Sequence, residues 1–181
     1  MENLVGVPPQ DVLIHGPKKL LIDRYLWHSP NAGIVACYSP TERDVEDHFG
    51  VFRGVDQIEA FAQATIVSCG AYIETQKQAC GFDDLKRNFV PVFISVGQVS
   101  FHGYLEQGDV FISIGNIISY KFRQMVCDGR IYKAPAGLNL DDYFSNYNNE
   151  RLLTYNLSEN FKLIAELAGI TGRAIRTNNF K

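Results

Sequence analysis

The longest hydrophobic signal in the chain has a helical period. From Val55 onward, apolar residues occur on every side of a helical wheel, and no proline interrupts the run before about Gln76. A helix that is apolar all round is normally buried inside a protein. At about 1.5 Å per residue, such a helix spans roughly 33 Å, which is the width of a small domain. The pattern therefore predicts a long buried helix over residues 55–76.

The segments on either side of this helix have a strand-like pattern. Before it, Leu20–Trp27 and Ile34–Tyr38 predict a hairpin whose turn contains Pro30 and Gly33. After Gly81 the apolar residues alternate or form short runs, as they do in strands. The strands predicted there cover residues 92–99, 110–120, 122–127 and 131–134.

Two short motifs predict turns between these later strands. Gln107-Gly108-Asp109 is typical of a tight turn and precedes the longest predicted strand. Asp128-Gly129 is a hairpin signal, because a type I′ turn requires positive φ at both of its central residues.

The order of elements predicts the fold. Two strands, one long buried helix and three or four antiparallel strands allow one sheet to wrap around one helix and bury it on most sides. This order is that of the hotdog fold. The sequence therefore predicts an α+β protein with a single hotdog domain over residues 1–134.

The rest of the chain has a different composition. Residues 139–150 are rich in Asn, Asp and Tyr, which is typical of a surface loop. Ser158 could cap a helix over Glu159–Ala168 that ends at Gly169. The apolar residues with helical spacing are Phe161, Leu163, Ile164, Leu167 and Ile170. We therefore expect residues 135–181 to form a loop and a helical appendage packed on the same domain.

Composition and charge narrow the possible functions. The chain has 181 residues and a net charge of −3, which argues against non-specific binding of nucleic acid. Its four cysteines have neither disulfide-framework nor zinc-site spacing, so we expect no metal and reduced thiols in a cytoplasmic protein. The N-terminus lacks the pattern of a signal peptide, and no apolar run is long enough to cross a bilayer.

Two residues near the start of the predicted helix suggest acid–base chemistry. Glu59 lies one turn into an apolar helix, and His48 lies in the loop just before it. Perturbed carboxyl and imidazole groups are common in active sites, although not confined to them. Glu59 can equally serve the helix dipole, and His48 can be a loop histidine bonded to the backbone. The pattern alone leaves both interpretations open.

Several motifs resemble the 3-hydroxyacyl-[acyl-carrier-protein] dehydratases of bacterial fatty-acid synthesis, which have the hotdog fold. Leu20-Leu21-Ile22-Asp23-Arg24 is similar to the first-strand motif of that family, and His48-Phe49 is similar to its catalytic-histidine loop. The helix start is similar too, through Gly54-Val55, Ile58-Glu59-Ala60 and Ala62-Gln63. The likeness covers roughly residues 12–134, and it departs from the family in Asp47 and in a shorter loop without prolines.

The resemblance implies a site and its chemistry. His48 would be the base that removes the α-proton of a 3-hydroxyacyl thioester, and Glu59 would be the acid that protonates the leaving hydroxyl. Burial would raise the pKa of Glu59 for that role. The substrate would be bound by Gly54, Val55, Phe49 and Gln63, with Gly54 allowing close approach of the substrate to the backbone. No metal or redox cofactor is required.

The resemblance also implies partners. The histidine and the carboxyl that act together come from different subunits in the family, which implies a homodimer or a trimer of dimers. The substrate would be carried on acyl carrier protein, which is acidic. Basic residues that could dock it are Lys86, Arg87, Lys121, Arg123 and Arg130.

Two other functions remain open. A hotdog acyl-thioesterase uses a helix carboxylate and water on the same kind of substrate, and the altered loop after His48 is compatible with hydrolysis. A non-catalytic hotdog subunit that binds acyl groups is favoured by Asp47 and by the missing prolines.

Overall fold

A long helix lies at the centre of the protein in a computed structural model, which describes residues 2–158 and 160–180, without the side chains of residues 179 and 180. The helix consists of three consecutive segments, which are Gly54–Ala62, a π-helical turn at Gln63–Val67, and Ser68–Gln78. Most of its residues between Ala60 and Thr75 are buried or half-buried. The predicted central helix is therefore confirmed, and we call all three segments the central helix.

An antiparallel sheet packs around this helix. The strands, numbered in chain order, are β1 (Arg24–Ser29), β2 (Gly33–Tyr38), β3 (Val51–Phe52), β4 (Phe89–Ser95), β5 (Gln98–Phe101), β6 (Leu105–Glu106), β7 (Phe111–Lys121), β8 (Gln124–Lys133) and β9 (Lys162–Arg176). All of them belong to the main sheet except β3 and β6, which form a separate two-stranded ladder. The main sheet has the order β1-β2-β7-β8-β9-β4, and β5 pairs with β9 beside β4. The small ladder joins β3 to β6. The predicted α+β hotdog arrangement, with one sheet around one helix, is confirmed.

Short helices connect these elements. They are α1 (Pro9–Val12), α2 (Glu42–Val45), α5 (Phe82–Asn88), α6 (Leu140–Phe144) and α7 (Asn149–Thr154), with α3 (Gly54–Ala62) and α4 (Ser68–Gln78) inside the central helix. Short 3₁₀ helices occur at Glu46–His48 and Thr177–Phe180. Among the described residues, no helix is both long and apolar enough to cross a membrane.

The predicted C-terminal helix is wrong. Lys162–Arg176 forms β9, which pairs with β8 along one edge and with β5 and β4 along the other. Its register with β8 shifts between Cys127 and Gly129, so the buried positions of β9 do not alternate strictly. Bulges of this kind insert an extra residue, and here they produce apolar spacings similar to those of a helix.

The predicted domain boundary is also affected. Because β9 lies inside the sheet, the sheet extends beyond the boundary at residue 134. Residues between β8 and β9 form α6 and α7, which pack on the outer face of the sheet. The apolar cluster on this face includes Val35, Ile114, Phe144, Leu152 and Phe161.

The predicted turn at Asp128-Gly129 is wrong as well. Both residues lie within β8, and the hairpin turns at Phe122 and Arg123, whose φ values are 53° and 60°. Glycine is needed at position 129 for packing, because an added Cβ would lie 2.4 Å from the Phe61 ring. The turn at Gly108 does occur, with φ of 81°.

The helix lies very close to the sheet at Gly115 of β7. An added Cβ there would lie 2.0 Å from Cγ2 of Thr65, whose hydroxyl donates a hydrogen bond to the Phe61 carbonyl oxygen. We expect Gly115→Ala to destabilise the protein by about 1–3 kcal/mol, because the packed core cannot accept the extra methyl group.

Chemical denaturation measures this effect. Gly16→Ala is the control, because an added Cβ at Gly16 has no neighbour within 4 Å. Thr65→Ser removes the clashing methyl group and keeps the hydroxyl, so the double variant should recover stability. A Gly115→Ala protein as stable as the wild type would contradict the close contact.

Candidate active site

The start of the central helix fixes the position of Glu59. Arg53 is extended just before the helix, and its guanidinium binds the Asp56 carboxylate at 2.6 and 3.0 Å. The helix therefore starts at a defined residue, and Glu59 follows in its second turn. The side chain of Glu59 is 35% exposed, so it lies at the boundary between core and solvent.

The partner of Glu59 within the chain is His15. His15 Nε2 lies 3.4 Å from Glu59 Oε1, and the His15 side chain is 19% exposed. A nitrogen that faces a carboxylate carries the proton, so Nε2 is the donor of the ring. The other ring nitrogen, Nδ1, is buried without a hydrogen-bond partner among the described residues.

This contact determines the ionisation of Glu59. The pKa of Glu59 lies below its ordinary value, chiefly because of His15 and secondly because Gln63 also donates to the carboxylate, and together they outweigh the effect of burial. The expectation that burial raises the pKa of Glu59 is therefore wrong. The carboxylate is ionised at neutral pH.

Gln63 connects the helix to the N-terminal segment. Its Nε2 donates to Glu59 Oε1 at 2.9 Å and to the Lys19 carbonyl oxygen at 2.7 Å, and its Oε1 accepts from the Leu21 amide at 2.9 Å. The side chain is fully buried. Gln63 was predicted to bind substrate, and the structure places it behind Glu59, where it orients the carboxylate. It also anchors the segment that carries His15.

His48 and Phe49 lie at the surface. His48 ends the 3₁₀ helix Glu46–His48, and its Nδ1 lies 3.2 Å from the Val51 carbonyl oxygen. Phe49 has a left-handed backbone and an exposure of 102%. The partners of Glu59 among the described residues are His15 and Gln63, so the chain alone does not join His48 to Glu59.

Gly54 and Val55 lie at the first turn of the helix. An added Cβ at Gly54 would lie 2.8 Å from Cζ of Phe101, so the Phe101 ring covers the face that was predicted to admit substrate. Val55 is 64% exposed. Phe101 is exposed as well, at 48%.

Glu59 and His15 lie between two cavities. On one side is an open groove of about 510 Å³, which we call the outer groove; it is lined by His15, Lys18, Lys19, Leu21, Arg43, Asp44, Phe52, Arg53, Asp56 and Glu59. On the other side a cavity of about 40 Å³ begins at the same two residues and reaches Ile66, Val67 and Pro91. Those three residues also line an apolar cavity of about 70 Å³ beside α4. Because these two narrow cavities share three lining residues, they are neighbours, and we call them together the inner channel.

His15 was not found in the sequence analysis. It lies in an irregular segment between Ile14 and Gly16, where no periodic pattern indicates a contact. Its position depends on the path of the N-terminal segment over the helix, which Gln63 fixes through Lys19 and Leu21.

The fold resembles those of solved structures. The dehydratase heterocomplex ApeI:P from Xenorhabdus doucetiae matches with a TM-score of 0.66 and 12% identity, over 96% of this chain and 95% of that chain. The architecture therefore defines the chain as a hotdog-fold protein. At this identity the likeness shows the fold alone.

Two acyl-coenzyme A thioesterases also match. A hexameric broad-specificity enzyme has a TM-score of 0.48 and 12% identity, over 85% of this chain and 81% of that chain. A 1,4-dihydroxy-2-naphthoyl-CoA thioesterase from Synechocystis has a TM-score of 0.47 and 13% identity, over 80% of this chain and 83% of that chain. Searches with the sequence find no matching protein-family model and no matching curated protein.

Proposed function

We propose that the protein is a dehydratase that eliminates water from a 3-hydroxyacyl thioester carried on acyl carrier protein. The observation that supports this most is the position of Glu59 and His15 between a polar groove and an apolar channel. The proposed substrate also has a polar part and an apolar part. The polar part is the phosphopantetheine arm of the carrier protein, the apolar part is the acyl chain, and the reacting carbons lie where the two meet. The order of His48, Gly54 and Glu59 along the chain favours dehydration over the other reactions of such substrates.

In this proposal the proton transfers to and from the substrate involve two side chains. His48 of a second subunit takes the α-proton, and the electron pair left on the α-carbon forms the double bond. The C–O bond breaks, and the leaving hydroxyl receives a proton from Glu59. Because Glu59 is held ionised at neutral pH, it first takes up a proton from solvent through the outer groove, and the hydroxyl then leaves as water. His15 and Gln63 hold the carboxylate in place for this transfer.

A homodimer is proposed to complete the site. Strands β4 and β5 each pair only with β9 among the described strands, which leaves their outer edge open. This edge carries exposed Phe93, Ile94, Val96 and Phe101. Unpaired edges with apolar side chains are templates for another strand. A second copy pairing there would cover this surface, and we propose that it brings His48 to the partner subunit's site.

The carrier protein would bind near basic residues, which the structure divides into two groups. Lys86, Arg87 and Arg130 are paired with Asp83, Asp84 and Glu166 respectively. Lys121 and Arg123 form no ion pair among the described residues. Arg123 lines the inner channel, so the exposed Lys121 is the better candidate for an acidic partner at the surface.

Hydrolysis is the second candidate, and the low pKa of Glu59 favours it. An ionised carboxylate can remove a proton from water, and that water can then attack the thioester carbonyl carbon and release the thiol. The same residue would then be a base in place of an acid.

One assay separates these reactions. Purified protein is incubated with a 3-hydroxyacyl thioester, while enoyl absorbance and free thiol are followed together. Dehydration gives enoyl absorbance without thiol, and hydrolysis gives thiol without enoyl absorbance. A protein that binds the substrate and forms neither product is the non-catalytic subunit, and that result would overturn the proposed function.

The role of His15 gives a separate prediction. His15→Leu removes the main cause of the low pKa of Glu59, so burial should then raise that pKa. The limb of the pH profile of kcat/KM that reports Glu59 should move to higher pH, whichever reaction the enzyme performs. His102→Leu is the control, because His102 is paired with Glu166 away from Glu59. An unmoved limb in His15→Leu would exclude His15 from the site.

A further inference from the structure

The end of the inner channel far from Glu59 is basic. Its walls there are mostly apolar, including Val12, Leu85 and Met125. Arg123 and Arg173 line the same cavity, which Glu59 does not reach, and Arg173 is exposed at its opening to solvent. Arg123 lies in the hairpin turn after β7, and Arg173 is the residue of β9 that pairs with Gln124. An all-apolar end would suit a plain hydrocarbon chain, so two arginines need another explanation.

These arginines have no acidic partner in the described part of the chain. Its ion pairs include neither Arg123 nor Arg173. Arg123 packs over the Phe89 ring, 5.1 Å from its centroid, and its Nε is buried without a hydrogen-bond partner among the described residues. A buried guanidinium donor without an acceptor is costly, and an anionic ligand would provide one.

The other charged residues of this end are already engaged. Lys86 is paired with Asp83 at 2.9 Å and donates to the Asp11 carbonyl oxygen. Glu74 accepts hydrogen bonds from the Tyr120 hydroxyl and from Gln78. Glu74 therefore forms no ion pair with either arginine in the described part of the chain, and its single negative charge leaves the two arginines with a net positive charge in this cavity.

We propose that Arg123 and Arg173 bind an anionic group of the substrate at the end of the inner channel opposite Glu59. This deepens the proposed function and rests on it, since it makes the substrate an acyl thioester with a negative charge remote from the reacting carbon. Glu59 and Glu74 are 15 residues apart on the helix, which is about 22 Å. A carboxylate at the end of the acyl chain would supply the charge if the carrier arm lies in the outer groove. The phosphate of the carrier arm would supply it if the substrate binds in the reverse direction, with the arm entering from this end.

Binding measurements with three probes test the proposal without turnover. The probes are a saturated acyl pantetheine, the same molecule with a terminal carboxylate on the acyl chain, and the same acyl chain on phosphopantetheine. Calorimetric titration of the wild type should show at least about tenfold tighter binding of one charged probe than of the neutral one. The carboxylate and the phosphate probe distinguish the two sources of charge.

Substitutions test whether Arg123 and Arg173 cause the tighter binding of the charged probe. Arg123→Asn tolerates the left-handed backbone at this turn. Together with Arg173→Gln, it should abolish the preference and leave binding of the neutral probe unchanged. Arg176→Gln, on the same strand but outside the channel, is the matched control. Glu74→Gln removes a nearby negative charge and should strengthen the preference for the anionic probe over the neutral one. This variant tests the electrostatic origin of the preference even if an arginine variant fails to fold.

These experiments distinguish a failure of the anion site from a failure of the proposed dehydratase function. Equal affinities for all three probes in the wild type would overturn the inference, and so would a preference that survives in the arginine variants. A charge preference in a protein that forms no enoyl product would leave the anion site intact and overturn only the dehydratase.

Discussion

Replacing Glu59 by Gln is expected to lower turnover by about 10²–10⁴-fold, or roughly 3–5 kcal/mol of activation free energy. Glutamine keeps the shape of the side chain and can still accept hydrogen bonds from His15 and Gln63. It cannot accept or release a proton as the carboxyl group does. The loss should therefore appear in kcat for the 3-hydroxyacyl thioester, with the folded state and the proposed dimer unchanged.

A matched variant tests the simpler explanation. If Glu59 only stabilises the start of the central helix, its replacement should cost well under about 1 kcal/mol of stability and leave the rate unchanged. Glu42→Gln changes an exposed carboxylate in the first turn of another helix and is the control. Thermal unfolding and kcat are measured for both variants. A Glu59→Gln protein with near wild-type kcat would contradict the catalytic role and favour the acyl-binding subunit.

The central helix and the fold could be predicted because their signals are local and long. Some 20 residues with apolar side chains on every side of a helical wheel have few structural solutions, and the flanking strands agree with only one of them. β9 could not be predicted in the same way. It owes its strand conformation to pairing on both edges, with β8 on one side and β4 and β5 on the other, and bulges disturb its alternation.

The candidate site was predictable only in part. Glu59 was identified because a carboxyl group in an apolar helix needs an explanation. Its ionisation depends on His15, which is 44 residues away in sequence and comes close through the fold of the N-terminal segment. A sequence pattern around Glu59 contains no information on that contact, so burial alone gave the wrong direction for the pKa.

His48 provides the second prediction of large effect. His48→Gln is expected to lower turnover by about 10²–10⁴-fold, since it removes the proposed base for the α-proton. The double variant with Glu59→Gln should be little slower than the worse single variant, because residues that act as a unit are not additive. The His48→Gln variant should melt like the wild type, since His48 is exposed and, among the described residues, its ring hydrogen-bonds to the Val51 carbonyl oxygen alone.

Mixing the two single variants tests whether the site is shared between subunits. If His48 of one subunit acts with Glu59 of the other, a mixed dimer has one site with both native residues and one site with neither. Subunits unfolded together in equal amounts and refolded should then recover about one quarter of wild-type activity, because half the dimers are mixed and each has one working site. If His48 acts within its own chain, every site in the mixture lacks one residue and no activity returns. Since the structure joins Glu59 to His15 and leaves His48 exposed beside Phe49, we expect the recovery.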